Sequence, residues 1–247
     1  MDNTKYISLS RQMGLWKQME IVSNNMANMN TSGFKSQEAL FKSYIVQTEG
    51  AQGLGRAPVH FTQDFGAFQD FSEGQMYQTG NTFDVAVKGD AFFVVETENG
   101  ERYTKKGQFH LDNDGKIVTG DGLPVLSQNN EPIFIAPNEM EVVISENGDV
   151  STENGLVGQI KIVSFEDNQK LSSIGSSMFE NTEGNVMRIS NDEVRVSQGI
   201  IEKSNVNSIM EMTKMVNLQR SYEYVQQMID GEHERLSNTI QTFSQMA

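Results

Sequence analysis

The apolar residues of this 247-residue chain follow one period at its two ends and another between them, and this change most constrains the fold. Over residues 2–30 and 207–245, apolar side chains recur every three or four positions, the spacing of one face of an α-helix. Between these segments they alternate with polar residues or form short runs, as in β-strands. The pattern predicts an α+β fold with long terminal helices around a central all-β domain.

The N-terminal helix is predicted over residues 2–30. Its apolar stripe consists of Tyr6, Leu9, Met13, Trp16, Met19, Val22 and Met26. A helix of this length would reach roughly 40 Å, and Gly33 is placed to end it in the left-handed conformation. Because no antiparallel helical partner lies nearby in the sequence, the long stripe predicts a coiled coil.

The C-terminal helix is predicted to begin at residue 207, since Ser208 and Glu211 have the spacing of a capping box. Its apolar stripe consists of Ile209, Met212, Val216, Leu218, Tyr222, Val225, Ile229, Leu236, Ile240 and Phe243. Gly231 weakens the helix locally, by about 1 kcal/mol relative to alanine.

The middle of the chain is predicted to form an all-β domain. Strand-like runs occupy residues 84–87, 91–97, 102–112, 116–126, 132–137, 141–145, 159–165 and 194–201. Turn sequences such as Asn147-Gly148 separate them, and residues 167–190 are predicted to form a long loop. The predicted division is an N-terminal helix at 1–35, an extended linker at 36–80, the β domain at 81–197 and a C-terminal helix at 198–247. Phenylalanines are expected to anchor the linker to neighbouring surface, namely Phe61, Phe65, Phe68 and Phe71.

Composition argues against several classes of function. With 33 acidic and 19 basic residues the net charge is −14, which disfavours binding to nucleic acid or to an anionic membrane. The chain has no cysteine and only three dispersed histidines, which disfavours a metal site. No catalytic motif is present, so we expect no enzyme activity, cofactor or small-molecule substrate. No apolar run reaches the 18 residues of a membrane span, and no cleavable secretory signal is recognised.

Methionine and asparagine are concentrated in the terminal stripes. Flexible methionine side chains tolerate several packing geometries, so an adaptable helix–helix interface is favoured over an ordinary helical core. Asn24 and Asn28 lie one helical turn apart and could bond across a helix seam, or they could belong to a frayed helix end.

Three blocks of sequence resemble the flagellar rod and hook family. The first is Val22-Ser23-Asn24-Asn25-Met26-Ala27-Asn28-Met29-Asn30-Thr31-Ser32-Gly33-Phe34-Lys35. The second runs from Gly80-Asn81-Thr82 to Phe92-Phe93-Val94-Val95 and continues into Tyr103-Thr104-Lys105-Lys106-Gly107-Gln108-Phe109. The third is Gln198-Gly199-Ile200-Ile201-Glu202-Lys203-Ser204-Asn205-Val206-Asn207, followed by Glu211-Met212 and Gln219-Arg220-Ser221-Tyr222-Glu223. Length and the single β region are most similar to the proximal-rod members, with a distal-rod member as the alternative.

The resemblance implies a structural subunit of the bacterial flagellar basal-body rod. Such a subunit would be exported through the flagellar type III apparatus without a cleaved signal peptide. It would assemble in the periplasmic rod with copies of itself and with other rod subunits through its terminal rod-core helices. The predicted interface comprises Leu9, Met13, Trp16, Met19, Asn24, Asn25, Met26, Asn28, Asn30, Gly33, Phe34, Ser204, Asn205, Val206, Asn207, Met212, Val216, Gln219, Arg220, Tyr222, Val225 and Ile229.

The stability of the terminal segments is expected to depend on assembly. Isolated amphipathic helices are marginal in water, so residues 2–30 and 205–247 are predicted to be largely disordered before neighbours cover them. A different class of protein also fits the pattern, namely a β-domain binding module on a helical oligomerisation stalk.

Overall fold

The structure, a computed structural model, describes residues 2–46, 59–136, 139, 141–181, 186–188 and 195–246. The chain divides into two compact units. The helical unit comprises Met1–Ala27, Gln37–Phe68 and Asn207–Ala247, and the β unit comprises Asn28–Ser36 and Gln69–Val206. Among the described residues, no helix combines the length and apolar character needed to span a membrane.

The helical unit contains α1 (Asp2–Ala27), β1 (Gln37–Val46), most of β2 (Val59–Gln69) and α2 (Ser208–Met246). The two helices run antiparallel, because Gln12 Nε2 donates to Gln226 Oε1 at 2.8 Å while Asn25 Nδ2 donates to Glu211 Oε2 at 3.1 Å. The strands pair with each other in a two-stranded sheet. At 1.5 Å per residue, α2 is about 58 Å long, so it is the longer helix by roughly 20 Å.

The β unit consists of short strands joined by tight turns. In chain order the strands are β3 (Met76–Gln78), β4 (Val85–Val87), β5 (Ala91–Thr97), β6 (Gly100–Thr104), β7 (Phe109–Leu111), β8 (Ile117–Thr119), β9 (Val143–Ile144), β10 (Asp149–Thr152), β11 (Gly155–Gln159), β12 (Ile162–Phe165), β13 (Leu171–Gly175), β14 (Met178–Asn181), β15 (Val186–Arg188), β16 (Val196–Gln198) and β17 (Ile200–Glu202).

A six-stranded sheet in the order β13-β14-β6-β5-β12-β15 organises the core of the β unit. Its strand β5 is buried on both faces, because successive side chains of a strand point to opposite sides. Phe93 and Val95 belong to one apolar cluster, while Phe92 and Val94 belong to a second. Phe71 joins the second cluster and packs edge-on against Phe92 with ring centroids 5.7 Å apart.

The structure differs from the sequence prediction in four segments of the chain. The predicted linker at 36–80 contains β1, β2 and β3, and the predicted loop at 167–190 contains β13, β14 and β15. The predicted strand at 102–112 is interrupted between β6 and β7, and residues 132–137 form only isolated bridges among those described. The missed strand β13 lies at a sheet edge with mostly exposed residues, so it has no apolar alternation to detect. The predicted anchoring side chains of Phe61 and Phe65 lie outside the described residues.

The helix ends also differ from the prediction. The residue that caps α2 is Asn207, whose Oδ1 accepts from the amides of Ile209 at 3.1 Å and Met210 at 3.2 Å. The capping box proposed for Ser208 and Glu211 was therefore wrong by one residue. The first helix ends at Ala27, earlier than residue 30. Gly33 has a left-handed φ of 66°, but it lies six residues beyond the helix end, so the prediction that it terminates the helix was wrong.

Replacing Gly107 by alanine should destabilise the β unit. A Cβ at this position would lie 1.6 Å from the Val85 carbonyl oxygen, and backbone cannot move aside cheaply. We expect a loss of at least about 2 kcal/mol in the free energy of unfolding, measured by urea denaturation with far-ultraviolet circular dichroism. The matched control is Gly158→Ala, whose Cβ would meet only Ile133 at 4.0 Å and should leave the midpoint nearly unchanged. Equal midpoints for the two variants would contradict this reading of Gly107.

Candidate functional sites on the terminal helices and at a buried polar junction

Helix α1 carries apolar side chains on two of its sides. Leu15 and Val22, seven residues apart, are buried within the helical unit together with the polar Asn25. Leu9, Met13 and Trp16 lie on another side and are exposed, Met13 at 67% and Trp16 at 64%. A helix that is apolar on several sides is ordinarily enclosed on several sides. The exposed side of α1, here called the outer α1 face, consists of Tyr6, Leu9, Met13 and Trp16.

Helix α2 is more exposed than α1. Its buried residues within the described part are the apolar Val225 and the polar Glu211. Of the other predicted interface residues, Tyr222 and Ile229 are half-buried, while Met212, Val216, Gln219 and Arg220 are exposed. The exposed large apolar side chains of α2 are Ile209, Met210, Met212, Val216, Tyr224, Met228 and Ile240. The side chain of Phe243 lies outside the described residues.

An open groove of about 720 Å³ lies within the helical unit beside the outer α1 face. Trp16, Met19 and Asn24 line it from α1, and Met215 lines it from α2. A second groove of about 340 Å³ is bounded by Val22, Ala39 and Leu218. Both grooves are mainly apolar, with polar residues among their walls. They leave apolar side chains of both helices accessible.

Asn25 connects three parts of the helical unit. Its Oδ1 accepts from the Gln37 amide at 3.0 Å, and its Nδ2 donates to the Gln37 carbonyl at 2.9 Å. The same Nδ2 donates to Glu211, which also contacts the Lys214 ammonium at 2.7 Å. The hydrogen bond to Glu211 raises the pKa of Lys214. Asn25 therefore pairs with both backbone groups of Gln37, the first residue of β1, as the backbone of a neighbouring strand would.

A buried ion pair joins distant segments of the β unit. Lys35 Nζ lies 2.7 Å from Glu202 Oε1, and both side chains are 1% exposed. The ammonium also donates to the carbonyls of Phe71 at 3.3 Å and Ser72 at 2.6 Å. The Gly74 amide donates to the same carboxylate oxygen at 2.8 Å. Buried charges are tolerated when they are paired and hydrogen-bonded in this way.

Asn205 extends this polar network toward the solvent. Its Oδ1 accepts from the Ser36 amide at 2.8 Å, and its Nδ2 donates to the Asp70 carbonyl at 2.9 Å. The Asp70 amide in turn donates to the Ser36 carbonyl at 2.9 Å. One asparagine side chain thus links three segments of the β unit. We call this network the polar junction, comprising residues 33–36, 69–74 and 202–205.

Two further features concern Gly33, within the polar junction, and Lys105, outside it. At Gly33 a Cβ would lie 2.4 Å from the Lys106 amide nitrogen, and the left-handed φ adds strain for any other residue. Lys105 is buried and donates to the Gly89 carbonyl. Burial lowers the pKa of Lys105 to about 8, while the negative charge of Glu202 opposes this shift. No cluster of metal-ligating side chains occurs among the residues described.

The remaining predicted residues have varied positions. Asn24 and Asn30 are exposed, Met26, Phe34 and Val206 are half-buried, and Asn28 Oδ1 accepts from Thr31 Oγ1 at 3.2 Å. Ser204 Oγ accepts from the Val206 amide at 3.2 Å. Sequence reasoning did not single out Lys35, Glu202 or Gln69, whose Nε2 donates to the Lys35 carbonyl at 2.5 Å. The available signal was that Lys35 and Glu202 each lie inside one of the blocks that resemble the family.

Comparisons with known proteins identify the family of the chain. Residues 6–35 match the family model described as flagella basal body rod protein, and residues 197–242 match that of the flagellar basal body rod FlgEFG protein C-terminal region. Residues 86–152 match the flagellar hook protein FlgE/F/G D1 domain. The chain belongs to the flagellar basal-body rod protein family, which confirms the resemblance of the three sequence blocks. This family is structural rather than enzymatic.

Full-length relatives narrow the similarity within the family. The flagellar basal-body rod protein FlgF of Caulobacter vibrioides is 37% identical over 235 residues, with 95% of each chain covered. FlgF of Mesorhizobium japonicum is 29% identical over 90% of each chain. FlgG of Bacillus subtilis is 30% identical over 95% of this chain and 97% of its own. The comparisons therefore favour a FlgF-like rod subunit over a FlgG-like one and support a location in the flagellar basal body.

Replacing Asn205 by alanine should loosen the polar junction. The Ser36 amide and the Asp70 carbonyl would lose their partner, and an unsatisfied polar group costs about 1–3 kcal/mol. Hydrogen exchange at the Ser36 amide should accelerate strongly, while amides of the central strand β5 remain protected. The control is Asn113→Ala in an exposed turn, which should leave the Ser36 amide unchanged. Unchanged exchange in the Asn205 variant would contradict this role.

Replacing Lys105 by methionine should change the pH dependence of stability. Because the pKa is about 8 in the native state against an ordinary value of 10.5, the unfolded chain binds more protons between these values. Between pH 8 and pH 10.5, the free energy of unfolding of the wild type should therefore increase relative to that of the variant, by up to about 3 kcal/mol. Urea denaturation at several pH values measures the difference. Parallel pH profiles for the two proteins would disprove the shift.

Proposed function

We propose that this chain is a proximal-rod subunit that assembles through its terminal helices with copies of itself and with other rod subunits. The observation that carries the proposal is the outer α1 face, which remains exposed although α1 is already packed against α2. Family membership supplies the structural role, and this face supplies a means of association. The FlgF-like similarity supports the proximal position over the distal one.

The energetics favour association over exposure. Each large apolar side chain removed from water contributes about 1.5–3 kcal/mol. The outer α1 face and the exposed apolar side chains of α2 together offer many such contributions. Contacts between two different surfaces that do not close on themselves propagate into a helical assembly. We infer that neighbouring subunits cover these surfaces and that the terminal helices pair as coiled coils in the rod.

The methionines support an interface that adapts to different neighbours. Met13 on α1 and Met210, Met212 and Met228 on α2 are exposed. Because methionine is unbranched and polarizable, one surface can pack against non-identical partners. A subunit that contacts both its own copies and other rod proteins needs this tolerance. Asn24, Asn28, Asn205 and Asn207 remain proposed determinants of register. Asn28, Asn205 and Asn207 also have the intramolecular partners described above.

We further propose that the subunit reaches the periplasmic rod through the flagellar type III export apparatus without cleavage of a signal peptide. Family membership supports this route, and the absence of cysteine means that no disulfide would hinder passage of an unfolded chain. We expect the pairing of α1 with α2 to be stable only in the assembly, so that the terminal helices are largely disordered in the isolated subunit. Circular dichroism of the purified subunit tests that expectation, because a monomer with fully helical termini would contradict it.

Charged substitutions on the outer α1 face should abolish assembly and spare the subunit fold. In the double variant Met13→Glu with Trp16→Glu, both new carboxylates would have to be buried at an interface, while the free subunit exposes them. We expect unchanged thermal unfolding of the β unit, loss of sedimentation with purified rod subunits and loss of motility in complementation. The control is Gln227→Glu at an exposed polar position of α2.

The outcome separates the candidate functions. Assembly of the double variant at the wild-type level would overturn the proposal. A closed dimer or trimer of wild-type subunit at low concentration, unaffected by other rod proteins, would instead favour the binding module on a helical stalk.

A further inference from the structure

Segments from opposite ends of the chain complete the β unit at the polar junction. Lys35 and Glu202 are separated by 167 positions, yet their side chains form a buried ion pair. The Gly33 amide also donates to the Glu202 carbonyl at 2.8 Å, so backbone and side chain both make this connection. Most residues that build the two apolar clusters lie between these two positions.

The charge balance at the polar junction depends on both ends being in place. Glu202 Oε1 contacts Lys35 and the Gly74 amide, while Oε2 is buried and accepts no hydrogen bond from the described residues. Lys105 is the other buried cation whose charge acts on this carboxylate. Without Lys35, the carboxylate would lose its direct counter-charge. Without Glu202, the Lys35 ammonium would keep only carbonyl partners.

Backbone packing at the polar junction leaves little room for partial closure. A Cβ at Gly74 would lie 1.9 Å from the Lys203 carbonyl oxygen, so these two backbones are in direct contact. The Lys203 amide donates to the Gln75 carbonyl at 3.0 Å, and β17 pairs with β3 through Ile201 and Tyr77. Residues 200–203 thus lie against residues 74–78.

We propose that the Lys35–Glu202 pair is a closure latch, which lets residues 33–36, 69–74 and 202–205 of the β unit become ordered only together. A buried charge without its partner is strongly unfavourable, so neither terminal segment can dock stably alone. The polar junction is then formed only when both ends of the β unit are in place. In the sequence, the first and last of these segments lie close to α1 and α2. The closure latch does not depend on assembly into a rod.

Hydrogen exchange of the full-length subunit tests the latch. In Lys35→Met, exchange should accelerate by roughly 100-fold or more at residues 69–74 and at residues 200–205 alike. Amides of β5 and β12 should keep their protection. Glu202→Gln should produce the same pattern, and the double variant Lys35→Met with Glu202→Leu should recover to within about 10-fold of wild type, since neither charge remains buried. The control is Lys116→Met, which removes an exposed ion pair with Asp114 and should change nothing.

Each outcome decides for or against the latch. Acceleration limited to the neighbourhood of the substituted residue would overturn it, as would a double variant no better protected than the single ones. If Lys35→Met does not fold, Glu202→Gln is compared with the double variant instead. The latch then requires slower exchange in the double variant than in Glu202→Gln. These measurements use the unassembled subunit. A result against the latch would therefore not count against the proposed rod function, and a subunit that does not assemble would not count against the latch.

Discussion

The ion pair between Lys35 and Glu202 is the interaction that joins the two ends of the β unit at the polar junction. Both charges are removed from water, and a carboxylate in an apolar interior is tolerable only beside its cation. The surrounding amides and carbonyls satisfy most of the remaining hydrogen-bonding capacity. The two apolar clusters supply most of the favourable burial, but hydrophobic contact is not directional. In the proposed latch, the ion pair adds the specificity that decides which distant segments meet.

Local patterns in the sequence predicted the helices and many of the strands. The stripe of α1 was recognised because helical periodicity is a property of neighbouring residues, and the turn glycines Gly115 and Gly148 have the expected positive φ. The strands β1, β2 and β13 were missed because the first two flank a glycine-rich stretch at residues 50–55 and the third is an exposed edge. Their pairing depends on partners elsewhere in the fold. Likewise, whether Asn207 or Ser208 caps α2 depends on the backbone conformation at the start of the helix, which the sequence does not show.

The polar junction could not be derived from local sequence. Nothing near Lys35 indicates that its charge is buried, because lysine is ordinarily a surface residue and its partner is 167 positions away. The residues were nevertheless visible as parts of the blocks that resemble the family. Sequence reasoning also assigned one apolar stripe to α1, whereas the structure divides its residues between a covered side with Val22 and an exposed side with Trp16. Periodicity alone does not state which neighbour a side chain has.

The hydrogen bonds of Asn205 have a mechanical consequence. Its side chain holds Ser36 and Asp70 at once, and both lie next to positions where the chain passes out of the β unit. A tensile load applied to the backbone at Ser36 would be shared with the segments of Asp70 and Asn205, to which Ser36 is hydrogen-bonded. Hydrogen bonds loaded side by side yield together at higher force than the same bonds broken in succession. A rod subunit is thereby reinforced at the point where its chain leaves the β unit.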